Sequence, residues 1–521
     1  MPKNLPIRII LLITLFSGFS VCFGNQPGIS SLQRAGVSQK VVLNILSLGA
    51  KGDGIFLNST IIQQAVDSVA SLGGGKIIFP EGRYLSGSII LKSGVQLLLQ
   101  RNAVLLGSTN PSHYTGLNRW KAFILADNQT NISIVGKGTI DGQGRRLALN
   151  IDSLYYIGQL DPGKYSHQEK RPSEVIRPQI IEMVNCKNTR ITGITLKNAS
   201  CWVQTYDRCQ NLVIDSIRVD SDAYWNNDGF DISDCRNVRV TNCFVNAADD
   251  GICLKSEYKD HWNDSIYIAN CTVRSSASGL KFGTASLGGF KNVKIENIKV
   301  YDTFRSAIAI ESVDGGTLEN IEINHVVAVN TGNGIFIKLG HRNKDDRYSV
   351  LRNISIKNVE VHVAFDRPDK KYDLRGPDLA FFHNPFPCSI TGIPGHPVEN
   401  VVLENIRITF PGRGNDGLAY LPISRLKDVH EAEGDYPEFS MFGELPAWAF
   451  YVRHVSGLTM KNVSVTAEAK DFRQAFVFDD VKKLKINKLK IKEPVCDKQI
   501  ILRNVISPEI GFDLNKIKVV E

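Results

Sequence analysis

The sequence predicts an all-β solenoid, a parallel β-helix whose amino-terminal end is capped by a helix. Two observations carry that reading. First, a short unit recurs, an Asn or other polar residue followed by alternating apolar residues. Its copies are NTRITGITLKN from Asn188, NLVIDSIRVDS from Asn211, NVRVTNCFVNA from Asn237 and SIYIANCTVRS from Ser265. NVKIENIKVYD from Asn292, NIEINHVVAVN from Asn320, NISIKNVEVHV from Asn353 and NVVLENIRITF from Asn400 continue it, and weaker copies start at Gly457 and Lys483. Second, the early spacings of 23, 26, 28, 27 and 28 residues hold two or three strands and no helix. Period-two alternation of β-branched residues marks strands. Coils of such strands stack about 4.8 Å apart, so equivalent side chains form ladders along the axis. A propeller blade needs roughly 40 residues, well beyond this period.

The chain has 521 residues. Lys3 and Arg8 precede an apolar run, Ile9 to Phe19, and small residues follow up to Gly24. This is the pattern of a signal peptide over residues 1–24, too short for a membrane span. Cys22 invites a lipoprotein reading, but Val21 fits a lipobox badly. An exported protein, periplasmic or extracellular, is expected. Gly and Asn are spread evenly after that point and no Pro/Ser-rich linker interrupts them, so residues 25–521 read as one domain, a monomer.

Asn58 to Leu72 places Ile61, Ile62, Ala65, Val66 and Val69 on one helical face, with Ser59 or Thr60 as N-cap. This is the expected cap of the solenoid. Gly73, Gly74 and Gly75 stop it, and Lys76 to Pro80 begins the first strands. Two interruptions, near 364–397 and 411–448, carry Pro, Gly and aromatics and read as groove walls. Trp448, Tyr451 and Arg453 at the end of the second are candidates for sugar stacking, set against plain packing of the loop.

Ten cysteines include Cys22. The others (186, 201, 209, 235, 243, 253, 271, 388 and 496) show no C-x-x-C spacing, so mostly free, buried thiols are expected. The formal charge of +8 is mild and spread out. It suits an acidic polysaccharide, and without a basic patch nucleic acid is not expected as a partner.

The chemistry concentrates in two acidic clusters. Asn226-Asn227-Asp228-Gly229-Phe230-Asp231 is followed, 21 residues after Asp228, by Asp249-Asp250. One coil apart, these carboxylates should sit on neighbouring rungs, where mutual repulsion raises at least one pKa. Glycosidic cleavage needs such a proton donor and a second carboxylate to activate water. Spacing alone leaves two rivals open, a calcium site and a solvated acidic turn.

NNDGFDIS followed by ADDGICLKS resembles the signature of family 28 glycoside hydrolases, the polygalacturonase and rhamnogalacturonan hydrolase group. GAKGDG and GGGKIIFPEGRYLSGSIILKSGVQLLL resemble that family's amino-terminal stretch. The likeness runs from about residue 46 to at least 340. It implies a single-stranded, right-handed, pectin-lyase-like parallel β-helix and an inverting hydrolase that needs no cofactor or metal. By position it implies Asp249 as general acid, Asp228 and Asp250 as the residues that hold and activate water, and Asn226 as an orienting group. Ser278 stands where the family has a histidine, and Ala307 to Glu311 stands where G-V-R-I-K is expected, so both cations are missing there. GLKFGTAS, AIESVDGG and IFIKLGHR resemble a divergent Bacteroidetes-type branch.

Other groups are candidates to bind substrate in their place. Lys255 and Lys281 lie on coils next to the carboxylates, Lys338, His341 and Arg342 follow one coil later, and Glu311 can pair with a lysine or bind a sugar hydroxyl. The expected activity is hydrolysis of α-linked galacturonic acid bonds, exo-acting if the late loops close one end of the groove. A calcium-dependent lyase using Lys255 or Lys281 as base, and a non-catalytic glycan-binding solenoid, are the alternatives.

Overall fold

The computed structural model describes residues 41–520 except 168, 373–383, 385, 415–420 and 494–498. The signal segment read over residues 1–24, with Cys22, lies outside the described residues, as do Cys496 and parts of both interruptions.

The recurring units form strands that pair in parallel with their counterparts one coil on. Eleven of these strands build the face that matters here. They are β1 (Lys121–Asp127), β2 (Gln179–Val184), β3 (Gln204–Asp207), β4 (Phe230–Ser233), β5 (Ile252–Ser256), β6 (Leu280–Ser286), β7 (Gly289–Ser312), β8 (Thr317–Leu339), β9 (Cys388–Thr391), β10 (Ala447–Ala467) and β11 (Gln474–Lys492). Each pairs in parallel with the next.

Because side chains alternate across a strand, this register yields two stacked rows. The inward row runs Ile232, Leu254, Phe282, Ile310, Ile337, Ile390, Val452, Phe478 and lies in the apolar core. The opposite row runs Glu182, Thr205, Asp231, Cys253, Lys281, Ala309, Phe336, Ser389, Tyr451.

The Asn that opens each repeat has a structural reason. Asn188, Asn211, Asn237, Asn292, Asn320, Asn353 and Asn400 all adopt φ between 53° and 58°, the left-handed region that Asn tolerates better than most residues. All but Asn292 donate the side-chain amide to the equivalent Asn one coil earlier, as in Asn211 to Asn188 at 2.9 Å and Asn320 to Asn292 at 3.2 Å. Ser265 interrupts this ladder, and Asn292 bonds Asp264 instead. A second ladder at the next corner runs from Asn242 through Asn270 to Asn297 and resumes from Asn324 through Asn358 and Asn405 to Asn462. His325 takes the turn position between the two parts, at φ 54°.

Helix α1 (Ser59–Ser71) buries Ile62, Ala65, Val66 and Val69 against the first strands, with Ile61 partly buried beside them. Its N-cap is Asn58, not Ser59 or Thr60. The Asn58 amide serves the backbone of Lys51, Phe56 and Leu85, and Ser59 Oγ accepts from Gly87 N. The eight described cysteines are buried and free.

Phe386 and Phe439, one from each interruption, pack on Ala309 and Phe336 of the stacked row, while Leu426, Val429 and Leu445 pack on Tyr451 and Val477. Trp448 and Tyr451 are 1% and 0% exposed. They belong to β10 rather than to a loop, so neither presents a ring to a sugar. Arg453 pairs with Glu431 and Asp479.

Candidate active site

The acidic motifs sit at the turns that lead into β4 and β5. Glycine follows each because the coils meet closely there. A Cβ on Gly229 would lie 2.5 Å from Gly251 O, and one on Gly251 would lie 2.8 Å from Gly279 O. Backbone bonds lock the register, with Gly229 N donating to Asp250 O and Gly251 N donating to Ser278 O, both at 2.8 Å. Asp228, Asp249 and Asp250 converge, each offering an oxygen within 4.8 Å of the others. Asp228 and Asp250 are buried, and Asp249 is half-buried.

Two buried lysines neutralise this cluster. Lys255 Nζ lies 3.2 Å from Asp228 Oδ2 and 2.9 Å from Asp231 Oδ1, and Lys281 Nζ lies 3.0 Å from Asp250 Oδ2. Asp250 Oδ1 accepts from Ser278 N at 3.0 Å, so Ser278 serves the site through its backbone. Asp228 Oδ1 is buried and accepts no hydrogen bond from the described protein groups. The aspartate oxygens would suit a metal ion by spacing, but the ammonium groups on Asp228 and Asp250 already supply the positive charge that an ion would bring.

The titration behaviour separates the three acids. Burial, with Asp231 beside it, pushes the Asp228 carboxyl well above its ordinary value. Burial and then Asp250 raise Asp249. Burial works in the same sense on Asp250, but Lys281, Lys255 and Arg305 outweigh it and hold this carboxyl below the usual range. Asp231 is pushed up to about 6 by burial, against the pull of Lys255. Carboxyls outnumber cations here, which favours proton retention within the cluster. Burial alone would depress both lysines, yet their carboxylate neighbours raise them well above their ordinary values.

The other sequence candidates divide. Asn226, at φ 56°, accepts from Arg177 Nη2 at 2.7 Å through Oδ1. Arg177 is fully buried and also donates to Ser200 O and Trp225 O, at 2.7 and 2.8 Å. It thereby fixes the turn that delivers Asp228. Glu311 is buried near Lys281, accepts from Thr284 Oγ1 at 3.4 Å and is pushed up to about 7 by burial. Lys338 is buried and donates to Glu431 O at 2.8 Å, with burial bringing it down to about 8. Arg342 makes a two-pronged bond to Asp314, 2.9 Å for each prong, and lines a cavity of about 430 Å³ with Glu257, Lys259 and Asn343.

The sequence reading missed four groups at the site. Arg305 stands close enough to Asp249 and Asp250 for all three to perturb one another, and its Nε lies 3.4 Å from Glu438 Oε2. Tyr436 hydroxyl lies 3.2 Å from Lys281 Nζ. The Trp202 ring lies 4.3 Å from Lys255 Nζ. Tyr436 and Glu438 come from the second interruption and Trp202 from the turn before β3, where no periodicity announces them.

A family model described as glycosyl hydrolases family 28 matches residues 72–365. A probable polygalacturonase of Vitis vinifera is 25% identical over 403 residues, which cover 70% of this chain and 74% of that protein. Among solved structures, a family 28 exopolygalacturonase of Yersinia enterocolitica superposes with a TM-score of 0.59 at 19% identity, covering 91% of this chain and 79% of that one. An exopolygalacturonase of Thermotoga maritima gives 0.57 at 22%, covering 71% and 87%. The two structural likenesses concern the fold.

Proposed function

The chain belongs to glycosyl hydrolase family 28 and is a glycoside hydrolase, and from that premise we propose that it cleaves α-linked galacturonic acid bonds in an acidic plant polysaccharide, pectin or a rhamnogalacturonan. The observation that carries the reading is the division of labour among adjacent aspartates. Asp249, raised by burial and by Asp250 and only half-buried, can reach a substrate. It is the general acid that protonates the leaving oxygen. Asp250, held ionised by Lys281, is the base that takes the proton of the attacking water. Asp228, with one oxygen accepting nothing from the described protein groups, holds that water with it. Asn226 orients the turn. Water attacks the anomeric carbon from the face opposite the leaving group, with inversion.

Lys281 and Arg305 supply the positive charge that positions 309 and 311 lack, and both are suited to a uronate carboxylate. Glu311 stands one rung beyond Lys281 on the same face and Lys338 one rung beyond Glu311, with which it pairs in register. The lyase alternative needs a neutral lysine, and the carboxylates around Lys255 and Lys281 favour the charged form of each. The aromatic cover on Ala309 and Phe336 supports exo action, since a long chain has no course past it.

We read the solenoid as right-handed, α1 as its cap, residues 25–521 as one monomeric domain and the protein as exported. Among the described residues no helix is long and apolar enough to cross a membrane.

The test is Asp249→Asn assayed on defined pectic oligosaccharides with products resolved by chromatography. Turnover should vanish while binding and melting temperature persist. Near wild-type turnover in that variant removes the mechanism.

A further inference from the structure

The catalytic face is covered on its amino-terminal side as well. Arg119 precedes β1, yet its Nη1 lies 3.0 Å from Glu257 Oε1, just beyond β5. β1 and β5 are four rungs apart through β2, β3 and β4, roughly 19 Å at about 4.8 Å per rung. The segment before β1 therefore leans along the axis over the strands between.

Its contacts trace the course. Arg119 and Trp120 reach the Glu182 carboxylate on β2, which burial pushes up to about 7 while their backbone groups pull the other way. The Trp120 and Trp202 rings meet at 4.2 Å between centroids. Trp202 in turn covers Lys255, the lysine bonded to Asp228 and Asp231. Trp120 is buried by this arrangement, while the Arg119 and Glu257 side chains stay 55% and 24% exposed. On the carboxyl-terminal side Phe439 and Phe386 lie on Ala309 and Phe336. The catalytic aspartates sit between two covers.

We propose that the Arg119–Glu257 ion pair is a strap which, with the Trp120–Trp202 contact, shuts the amino-terminal end of the cleft and makes this pair a determinant of chain-end cleavage. The inference rests on the galacturonan-hydrolase reading and adds the residues that set its mode. A polymer running along the face would have to pass beneath the strap, whereas a chain end needs only the space between the covers. The bond is an exposed ion pair, weak by itself, so it restricts access without being needed for the fold.

Arg119→Ala and Glu257→Gln are to be compared with the wild type on long polygalacturonate and on a galacturonate trimer. In the wild type, viscosity should fall slowly relative to the reducing ends formed, and only the shortest products should accumulate. In either variant, viscosity loss per reducing end should rise about fivefold and intermediate oligomers should appear, with trimer turnover within about twofold of wild type. The charge-swapped pair Arg119→Glu with Glu257→Arg should restore the wild-type pattern, and it stands in if a single variant fails to fold. Unchanged product patterns in the folded variants, or internal cleavage by the wild type itself, would overturn the proposal. Failure of the wild type to hydrolyse either substrate would strike the function reading instead, and this inference with it.

Discussion

Lys281 bonds Asp250 at 3.0 Å from a strand position whose partner in the next coil is Ala309. The family pattern leads one to expect a cation at residue 309. Here the charge comes from the preceding coil and lands on the base itself. The same lysine therefore neutralises the cluster and keeps Asp250 ionised.

Lys281→Met should lower kcat about a hundredfold, the scale of a lost base function. Without its ammonium, Asp250 loses the largest influence holding its pKa down. The acid limb of the kcat profile should then move to higher pH. A drop in kcat with an unmoved acid limb would mean that Lys281 serves substrate binding alone.

One oxygen from each of Asp228, Asp249 and Asp250 lies within 4.8 Å of the other two, closer than the roughly 6.5–9.5 Å usual between the carboxyls of an inverting pair. A third carboxylate changes the count, because Asp228 and Asp250 can hold one water jointly. Proton NMR of the first product should show the β anomer. The α anomer would assign Asp228 or Asp250 to attack on carbon, through a covalent intermediate.

Glu311 titrates at about 7 in the folded chain, against 4.5 as its ordinary value. Its folded pKa is raised, so its contribution to stability is full below about pH 4.5 and is lost as pH climbs through 7. The span corresponds to about 3 kcal/mol. Glu311→Gln should therefore gain stability on the wild type between pH 5 and 8 in denaturant titrations. A constant difference across that range would place the Glu311 pKa near its ordinary value.

Asn320 holds φ 58° on an exposed corner, donates to Asn292 and accepts from Asn353. Asn320→Ala should cost about 1–2 kcal/mol, mostly for a Cβ without a polar partner in the left-handed region. Asn320→Gly should cost less. Equal losses would assign the stability to the ladder bonds rather than to the backbone.

The strands were legible because a solenoid writes its period into the chain, and every repeat start that was read falls on a left-handed corner. The three aspartates were legible for the same reason, being one coil apart. Arg305 was not. The pairing of β7 with β8 shifts register between Thr303 and Ser306, and such an irregularity re-aims side chains that simple alternation assigns elsewhere. Counting from the motif pointed to 309 and 311, and the charge stands at 305. For Trp448 and Tyr451, offered for sugar stacking against plain packing, packing holds: both stand on a strand, Trp448 in the main core and Tyr451 under the 421–445 segment. Arg119, Tyr436 and Glu438 act through chain segments folded back over the face, a relation that no local pattern encodes.

The two corner ladders are interrupted at different levels, one at Ser265 and the other at His325. Like offset joints in brickwork, these two gaps do not align, so at each of them the neighbouring file of amides carries on. The molecule has no plane along which it would part in the middle, and loss of structure should creep inward from the tips.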